Sequence, residues 1–500
     1  MDTPRWVTDS VFYQIFPDRF AMSDRAPKRN LHLEAWDSPP TTRGFKGGDL
    51  YGVLEHLDYL DDLGINAIYL TPIFASASNH RYHTYDYFSV DPILGGEAAF
   101  RALLDAAHKR SMRVVLDGVF NHASRGLWQF HHTLENGSAS PYVDWFHFDP
   151  ERLAGDRHWG AYPSVEEQQA IPQEGSLRAI GYTGWWDLPA LPKFNTAVPA
   201  VREFLFSVAD HWMRYGIDGW RLDVPGEIDD DSFWREFRSR VRSVNPDAYL
   251  VGELWGDASR WLQGDQFDGS MNYPVTAACL GFFTGRHLDL EQALKPGGLR
   301  GQVMPMDGRE FGERIVRCLG RYSAEANRAM LNPLDTHDTP RFLTCAGGDA
   351  ASLKLALTFI LAYPGAPCLF YGDEIGLTGG HDPGCRRSFP WSEESWNREL
   401  RSFTRNLIHI RRARPSLRWG RYTGLWANKD IYAFERVLGD ERTLVVLNAG
   451  EQVQDVKLEA PQPTDSSLRL LAGACEIIGL LPTRLRVPAR EAAVLGSGDN

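Results

Sequence analysis

The sequence predicts an α/β fold: a (β/α)8 barrel of the TIM type with an irregular insertion after strand 3, followed by a C-terminal antiparallel β-sandwich domain. Three observations predict this arrangement. Short apolar runs alternate with helix-like segments over most of the first 411 residues. The helical periodicity disappears between residues 123 and 195. After residue 412 the alternation ends, and strand-like runs follow one another around turns.

Eight apolar, β-branched and aromatic runs are the candidate barrel strands. Segments such as residues 50–64 and 97–111 lie between them, with apolar residues at the three-to-four spacing of amphipathic helices. Alternating strands and helices predict parallel strands with right-handed crossovers, and eight such units favour a closed barrel. A doubly wound open sheet is the alternative on pattern alone. The runs are residues 11–20, 66–74, 113–122, 216–224, 248–255, 267–273, 329–338 and 366–374.

The same patterns divide the chain into three parts. Residues 1–122 and 196–411 are assigned to the barrel. Residues 123–195 are rich in aromatic residues, Gly, Pro and His, and are too long for a plain loop. We expect them to form a small inserted subdomain on the rim where such barrels keep their active sites. Residues 412–500 are assigned to the C-terminal β domain, which begins with two strands around a Gly-Asp turn.

Composition restricts the class of partner. The chain is 43% apolar and 24% charged, as ordinary globular proteins are. Its net charge of −12 argues against nucleic acid or an anionic membrane as the main partner. The N-terminus lacks a signal-peptide pattern, and we find no apolar stretch of the length that spans a membrane. The six cysteines form no CxxC pair. We therefore expect a cytoplasmic protein that binds neither nucleic acid nor membrane.

Charged and polar side chains gather where the candidate strands end. Arg221 and Asp223 stand two positions apart in the fourth run, so their side chains face the same way. Glu253 ends the fifth run. The third and seventh runs end with further polar residues: Asp117, Asn121 and His122, and Asp335, His337 and Asp338. Because the carboxyl ends of barrel strands meet on one face, we expect these groups to share a pocket.

This set of carboxylates, histidines and one arginine indicates glycoside cleavage. The chain has no HExxH, CxxC, P-loop or GxGxxG pattern that would indicate a metal or nucleotide site. Glycoside cleavage needs one ionised and one protonated carboxyl group. We expect Arg221 to lower the pKa of Asp223, which favours Asp223 as the nucleophile. Glu253, in apolar company, is the candidate general acid/base, and Asp338 can hold sugar hydroxyls and stabilise positive charge on the ring.

Four motifs resemble the signature regions of the alpha-amylase family of glycoside hydrolases. They are "DGVFNH" (117–122), "GWRLDVPGE" (219–227), "GELW" (252–255) and "THD" (336–338), and they occur in the family's order. The resemblance extends over nearly the whole chain. The family retains the anomeric configuration through a covalent glycosyl intermediate. The resemblance therefore implies that Asp223 is the nucleophile, Glu253 the acid/base and Asp338 the transition-state stabiliser.

The same resemblance implies the residues that bind the sugar at the cleavage point. His122, Arg221 and His337 match such positions, and Asp117 is a further candidate contact. Tyr82, in "NHRYHTYDY", matches the family's aromatic platform, which is chemically sensible because a ring face stacks on a sugar.

Two further stretches resemble the neopullulanase, cyclomaltodextrinase and maltogenic amylase group. They are "LPKFN" (191–195) and "YGDEIGLTGGHDPGCRRSFPW" (371–391). In that setting Lys193, Glu227, Trp255 and Arg387 are candidate contacts to neighbouring sugars. That group usually carries an additional N-terminal β domain, and because the first candidate strand begins at residue 11 we do not expect that domain here. A swapped dimer is therefore not implied, and we expect a monomer or a homodimer.

The sequence also departs from the family at a calcium-binding loop. Met22, Pro27 and Lys28 stand at positions that supply oxygen ligands in many relatives, whereas Asp24 and Asp49 remain. Met, Pro and Lys side chains offer no ligand to a hard cation. We therefore expect no calcium at this loop and no cofactor.

The leading hypothesis is an enzyme that hydrolyses α-1,4 bonds of maltooligosaccharides and maltodextrins, with pullulan and cyclodextrins as further candidates. An alternative keeps the fold and changes the acceptor: a 4-α-glucanotransferase or a sucrose- or trehalose-converting enzyme. A third hypothesis is a carbohydrate-binding protein without catalysis. The presence of Asp223, Glu253 and Asp338 argues against this third hypothesis.

Overall fold

The computed structural model describes residues 3–28, 31–154, 162–294, 299, 301–458, 468–480 and 483–497. Eight parallel strands form one sheet in the order β6-β5-β4-β3-β2-β1-β8-β7. A parallel bridge between Met271 and Leu331 joins β6 to β7 and closes the barrel. The strands are β1 (Phe12–Ile15), β2 (Ala67–Leu70), β3 (Arg113–Gly118), β4 (Gly219–Leu222), β5 (Tyr249–Gly252), β6 (Gly269–Ser270), β7 (Leu331–Pro333) and β8 (Ala366–Phe370). The predicted barrel is confirmed, and the open-sheet alternative is wrong because β6 and β7 pair.

Helices follow most of the barrel strands and cover the sheet, whereas β5 and β6 are joined by turns alone. The helix Leu50–Glu55 shows how the sequence sets a boundary. The Asp49 side chain accepts the Gly52 N–H across 2.8 Å and caps a helix, and Gly64 at φ +94° ends the next one. The barrel helices are Arg5–Thr8, Pro17–Phe20, Leu50–Glu55, Leu57–Leu63, Gly96–Lys109, Pro199–Tyr215, Asp231–Val244, Tyr273–Phe283, Leu290–Leu294, Gly308–Arg321, Ala324–Ala329, Phe342–Cys345, Ala350–Ala362, Arg398–Ala413 and Pro415–Trp419.

Short 3-10 helices shape the loops above the strands. They are Pro92–Leu94, Gly137–Ala139, Val143–Trp145, Trp185–Asp187, Pro225–Glu227, Gly285–His287, Asp373–Ile375, Gly384–Arg386 and Glu393–Ser395. A hairpin of Phe74–Ser76 and Thr84–Val90 rises after β2 and carries Tyr82 in its turn. Within the described ranges, no helix combines the length and the apolar character needed to cross a membrane.

The segment after β3 packs around its own aromatic side chains. The rings of Phe130 and Tyr182 lie 4.9 Å apart, and those of Phe146 and Phe194 lie 5.2 Å apart. A bridge between His122 and Lys193 ties its two ends together beside the barrel. Its helices are Trp128–Asn136, Pro150–Ala154, Val165–Glu174 and Ser176–Ile180. This aromatic packing explains why the segment has structure without helical periodicity, and why its end returns to the rim.

The C-terminal part is a sandwich of two antiparallel sheets. One sheet has the order β9-β10-β11-β16-β13 and the other has the order β12-β15-β14. Apolar side chains from both sheets, such as Leu444 and Leu485, form a separate buried cluster between them. The strands are β9 (Arg421–Ala427), β10 (Ile431–Leu438), β11 (Glu441–Asn448), β12 (Gln454–Leu458), β13 (Arg469–Gly473), β14 (Glu476–Leu480), β15 (Thr483–Val487) and β16 (Glu491–Gly496). The predicted β-sandwich is confirmed.

Candidate active site

A cavity of about 570 Å³ lies at the carboxyl ends of the barrel strands. Asp223 directly follows β4 and Glu253 directly follows β5, so neighbouring strands deliver both carboxyl groups to it. Its lining side chains include two stacked tryptophans and four carboxyl groups. The lining residues are His80, Tyr82, His83, His122, Trp185, Trp186, Leu188, Leu191, Asp223, Val224, Glu253, Trp255, Asp338, Asp382 and Arg386.

Arg221 lies beneath the cavity and contacts three carboxyl groups. Its Nη1 donates to Asp117 Oδ1 across 2.8 Å and to Asp223 Oδ1 across 3.0 Å. Its Nη2 lies 2.7 Å from Glu253 Oε1. The register of β3 against β4 places Asp117 beside Arg221. One buried guanidinium therefore fixes the positions of the two carboxyl groups predicted to react, Asp223 and Glu253.

The environment of Glu253 favours its protonated form. Burial raises the pKa of Glu253 to about 7. Arg221 opposes that shift, and the charge of Asp338 adds to it. The backbone N–H of Val224 donates to Glu253 Oε2 across 3.1 Å. A carboxyl group with a pKa near neutrality can both donate and accept a proton at physiological pH.

Arg221 does lower the pKa of Asp223, but the pKa is raised overall, so the expectation of a lowered pKa is wrong. Burial and the neighbouring charge of Glu253 raise the pKa of Asp223, and they outweigh Arg221. Because Arg221 is shared with Asp117 and Glu253, its charge is divided among three acids. Asp223 and Glu253 consequently titrate as a pair, and loss of the first proton leaves one carboxylate beside one carboxylic acid.

Asp338 is held by two partners on the opposite side of the cavity. Arg386 Nη2 lies 3.1 Å from Asp338 Oδ1, and His337 Nε2 lies 3.1 Å from Oδ2. Burial alone would raise the pKa of Asp338, but His337, Arg386 and Arg221 together lower it. Asp338 is therefore the carboxylate of the cavity that stays ionised most readily.

A hydrogen-bonded chain fixes His337 and Tyr82. Gln14 Nε2 lies 2.7 Å from His337 Nδ1 and donates to it, which assigns the ring proton to Nε2. His337 Nε2 then donates to Tyr82 Oη across 2.6 Å, and the Tyr82 hydroxyl donates to Asp117 Oδ2 across 2.8 Å. Burial lowers the pKa of His337 to about 3, and the charge of Asp338 opposes that shift. The Tyr82 and His337 rings stack with centroids 5.4 Å apart.

Three predicted sugar contacts occupy different positions around the cavity. Trp255 lines it and stacks on Tyr273 with centroids 3.8 Å apart. Lys193 and Glu227 are outside the described lining and contact each other, with Lys193 Nζ donating to the Glu227 carbonyl across 3.0 Å. The latter two residues therefore lie together at the rim.

Arg387 is not placed in the cavity, whereas its neighbour Arg386 is. Arg387 is exposed, and its carbonyl accepts the Tyr371 hydroxyl across 2.6 Å. Arg386 is buried, contacts Asp338, and donates from Nε to the His337 carbonyl across 2.7 Å. This loop has no periodic pattern, so the sequence does not indicate which of the two consecutive arginines faces the cavity.

Several residues that line the cavity were not predicted from the sequence. Trp185 and Trp186 lie in the segment without periodicity, and Asp382 and Arg386 lie in the loop after β8. His80 and His83 flank Tyr82 in the sequence and also line the cavity. The one available signal was the local density of aromatic and basic residues in these loops.

The donor set at the candidate calcium loop does not fit the ion. Lys28 Nζ lies 2.5 Å from Asp49 Oδ2, and Ser23 donates its hydroxyl to Asp49 Oδ1 across 2.9 Å. An ammonium group therefore already neutralises the remaining buried carboxylate of this loop. Calcium needs several oxygen ligands at about 2.3–2.6 Å, and an ammonium in their midst repels it.

Comparison with known proteins shows the family. Residues 14–433 match the family described as "Alpha amylase, catalytic domain". The chain is 40% identical over 469 residues to a cyclomaltodextrinase of Geobacillus thermopakistaniensis, covering 93% of this chain and 72% of the relative. It is 41% identical over 465 residues to neopullulanase 2 of Thermoactinomyces vulgaris, covering 92% and 72%.

A solved structure shows the same arrangement. The chain superposes on a debranching enzyme of Nostoc punctiforme with a TM-score of 0.86 at 46% identity, covering 99% of both chains. The chain therefore belongs to the alpha-amylase family and is an O-glycosyl hydrolase.

Proposed function

We propose that the protein is a retaining glycosidase that cleaves α-1,4 bonds of maltooligosaccharides through a covalent intermediate on Asp223. The observation that carries this proposal is the sharing of Arg221 by Asp223 and Glu253 within one cavity. A retaining mechanism needs two carboxyl groups close enough to act on the same bond from opposite sides. One guanidinium that contacts both groups keeps them at such a separation.

In the first step, Glu253 gives its proton to the glycosidic oxygen as the bond to the leaving sugar breaks. Asp223 attacks the anomeric carbon and forms an ester with it. Asp223 Oδ1 accepts from Arg221, whereas Oδ2 is buried without a partner among the described residues. Oδ2 is therefore the atom available to form the new bond.

In the second step, water replaces the departed sugar. Glu253, now a carboxylate, takes a proton from the water as its oxygen attacks the anomeric carbon. The bond to Asp223 breaks, and both carboxyl groups return to their starting states with the original anomeric configuration. A sugar hydroxyl in place of water gives transfer instead of hydrolysis, which is the alternative function that this intermediate allows.

The surrounding residues bind the sugar at the cleavage point. Asp338 is ionised and accepts hydrogen bonds from sugar hydroxyls, and its charge stabilises the positive ring of the transition state. Tyr82 supplies a flat face beside the ring. His122 Nε2 is buried without a partner among the described residues, so a sugar hydroxyl can satisfy it.

The substrate class follows from the relatives. They are named cyclomaltodextrinase, neopullulanase and maltogenic alpha-amylase, so we propose maltodextrins, cyclodextrins and pullulan as substrates. The Nostoc relative is named a debranching enzyme, so branched glucans are further substrates to assay. A Bacillus subtilis relative is named an intracellular enzyme, which supports our proposal of a cytoplasmic location.

Trapping the intermediate tests the mechanism. In a Glu253→Gln variant, α-glucosyl fluoride can still react because fluoride leaves without an acid. We expect mass spectrometry to find one glucosyl unit on the peptide that contains Asp223, and none after Asp223→Asn. Glu313→Gln, on an exposed helix, is the control with normal turnover. Products of inverted configuration, or a label on another residue, would reject the mechanism.

A further inference from the structure

Two buried carboxyl groups outside the cavity lining face each other. Asp335 follows β7 and Asp373 follows β8, and their exposed fractions are 2% and 3%. Their side chains hydrogen-bond to each other. An ionised carboxylate only accepts hydrogen bonds, so this contact needs a proton on one of the two groups. Neither residue belongs to the described lining of the cavity, so sugar binding does not explain the contact.

The charges around the pair favour the same state. Arg341 is fully buried, and its Nη1 donates to Asp373 Oδ1 across 3.0 Å. Its single positive charge can neutralise one carboxylate, whereas a second ionised carboxylate at this depth would be uncompensated. Asp335 Oδ1 is buried and receives no N–H or hydroxyl donor in the described part of the chain. One proton between the two acids satisfies this oxygen and leaves the three side chains neutral as a group.

Other titratable groups also face the pair. Burial raises the pKa of Asp373, and the charge of Glu374 adds to the shift. Burial also raises the pKa of the Cys345 and Cys368 thiols, so both stay uncharged beside the acids. Arg341 is the cation that lowers the pKa of both acids, and burial outweighs it in each case.

The pair closes the loop that carries Asp338. Asp335 Oδ2 accepts the Phe342 N–H across 2.5 Å, so the two ends of this loop are joined. Asp335 and Arg341 both contact Asp373, which joins the loop to the end of β8. Asp338 lies midway between Asp335 and Arg341 in the chain. Its position at the cavity therefore depends on the contacts on both sides of it.

We propose that Asp335 and Asp373 share one proton and are positioning residues, which hold the loop of Asp338 against the end of β8. Loss of the proton would place two carboxylates side by side and push the loop away from β8. Neither residue touches the sugar, and both act through Asp338. This inference rests on the proposed role of Asp338 in glycoside cleavage and extends it.

Steady-state kinetics of two Asp335 variants test the positioning role. Asp335→Asn keeps an oxygen for the Phe342 N–H and offers an amide N–H to Asp373 in place of the shared proton, so kcat on maltotriose should stay within about threefold of the parent. Asp335→Ala lacks both bonds, so kcat should fall about tenfold to hundredfold as Asp338 shifts. The KM should change by less than about threefold, because Asp335 does not touch the substrate. Equal losses of kcat in the two variants, or no loss in Asp335→Ala, would overturn the positioning role.

An infrared measurement detects the shared proton directly. A protonated carboxyl group absorbs at a different frequency from a carboxylate, and its band shifts in deuterium oxide. The spectrum of the parent minus that of Asp335→Asn at pH 7 should contain the protonated band, because the variant leaves Asp373 as a carboxylate paired with Arg341. Asp58→Asn is the matched control, since the Asp58 side chain is 85% exposed, and it should lose only carboxylate absorption.

The two measurements separate the possible outcomes. A difference spectrum that shows only the loss of a carboxylate would overturn the shared proton. If Asp335→Ala does not fold, Asp335→Asn decides the proposal: near-normal kcat together with the protonated band supports it, and the absence of either overturns it. If the parent enzyme cleaves no glucan, the proposed function fails, whereas the infrared comparison still tests the acid pair.

Discussion

Val224 donates its backbone N–H to Oε2 of Glu253 across 3.1 Å, and it does so from a left-handed backbone with φ +35°. A β-branched residue rarely adopts this conformation, so the surrounding contacts must impose it. Asp223 directly precedes Val224 in the chain. The orientation of Glu253 is therefore tied to the backbone segment that carries Asp223.

We expect the rate to fall as pH rises through about 7. Glu253 must be protonated to act as an acid, and burial raises its pKa to about 7. The kcat/KM for maltotriose should therefore show an alkaline limb near that pH. The fluoride substrate needs no acid, so its first step should lack this limb. An alkaline limb that is the same for both substrates would contradict the assignment of Glu253.

We expect Glu253→Gln to stabilise the protein at alkaline pH. The folded-state pKa of Glu253 is raised to about 7, so ionisation destabilises the folded state once pH passes the unfolded value of about 4.3. The penalty is complete above pH 7 and amounts to about 4 kcal/mol. Gln cannot ionise. Denaturant unfolding should therefore show a gain at pH 8 that shrinks to nothing at pH 4.

The control for this stability prediction is Glu313→Gln, which replaces an exposed carboxylate. Its effect on unfolding should be small at every pH. A gain in Glu253→Gln that is equal at pH 4 and pH 8 would show that ionisation is not the cause.

We expect Arg386→Lys to impair catalysis more than substrate binding. Arg386 contacts Asp338, Asp382 and the His337 carbonyl with three different nitrogens. Lysine offers one ammonium in place of this fixed fork, so Asp338 loses its orientation. The kcat on maltotriose should fall ten- to hundredfold, with KM changing less. Arg398→Lys, which is 70% exposed, should have normal kinetics. An equal loss in both variants would contradict the role of Arg386.

We expect Arg411→Met to destabilise the packing of the helix Arg398–Ala413 against the barrel segments around it. Arg411 is fully buried and donates to main-chain carbonyls, among them Leu361, Gly365 and Leu417. Removing the guanidinium leaves these carbonyls without their donor, at a cost of about 3–4 kcal/mol. Denaturant unfolding would measure the loss. Arg398→Met provides the exposed comparison, and an equally small effect in both variants would disprove the argument.

Much of the fold could be predicted because the barrel strands carry a direct signal. Each buried strand reads as a short apolar run, and Gly64 marks a helix end by its left-handed backbone. The spacing of Arg221 and Asp223 predicted that both point inward, and they do contact each other. These features depend on local periodicity, which a single sequence contains.

The remaining features depend on contacts between distant segments. Burial and the charge of Glu253 raise the pKa of Asp223 and outweigh Arg221, which also contacts Asp117 and Glu253 from the two neighbouring strands. Neither the register of those strands nor the depth of burial can be read from residue types. Trp185 and Trp186 could not be identified as cavity residues for a similar reason, because they lie in a segment whose structure comes from aromatic packing.

The join between β6 and β7 has a mechanical consequence. β6 has two residues, and the ring is completed there by the bridge from Met271 to Leu331 and by hydrogen bonds from Asn272 to Leu331 and Asn332. We expect local unfolding of the barrel to begin between β6 and β7. Amide hydrogens near this junction should therefore exchange with deuterium faster than those of the other barrel strands. Asp338, borne on the loop after β7, would then swing relative to Asp223 and Glu253, which remain locked together through Arg221. This local opening would let Asp338 move while Asp223 and Glu253 keep their relative positions.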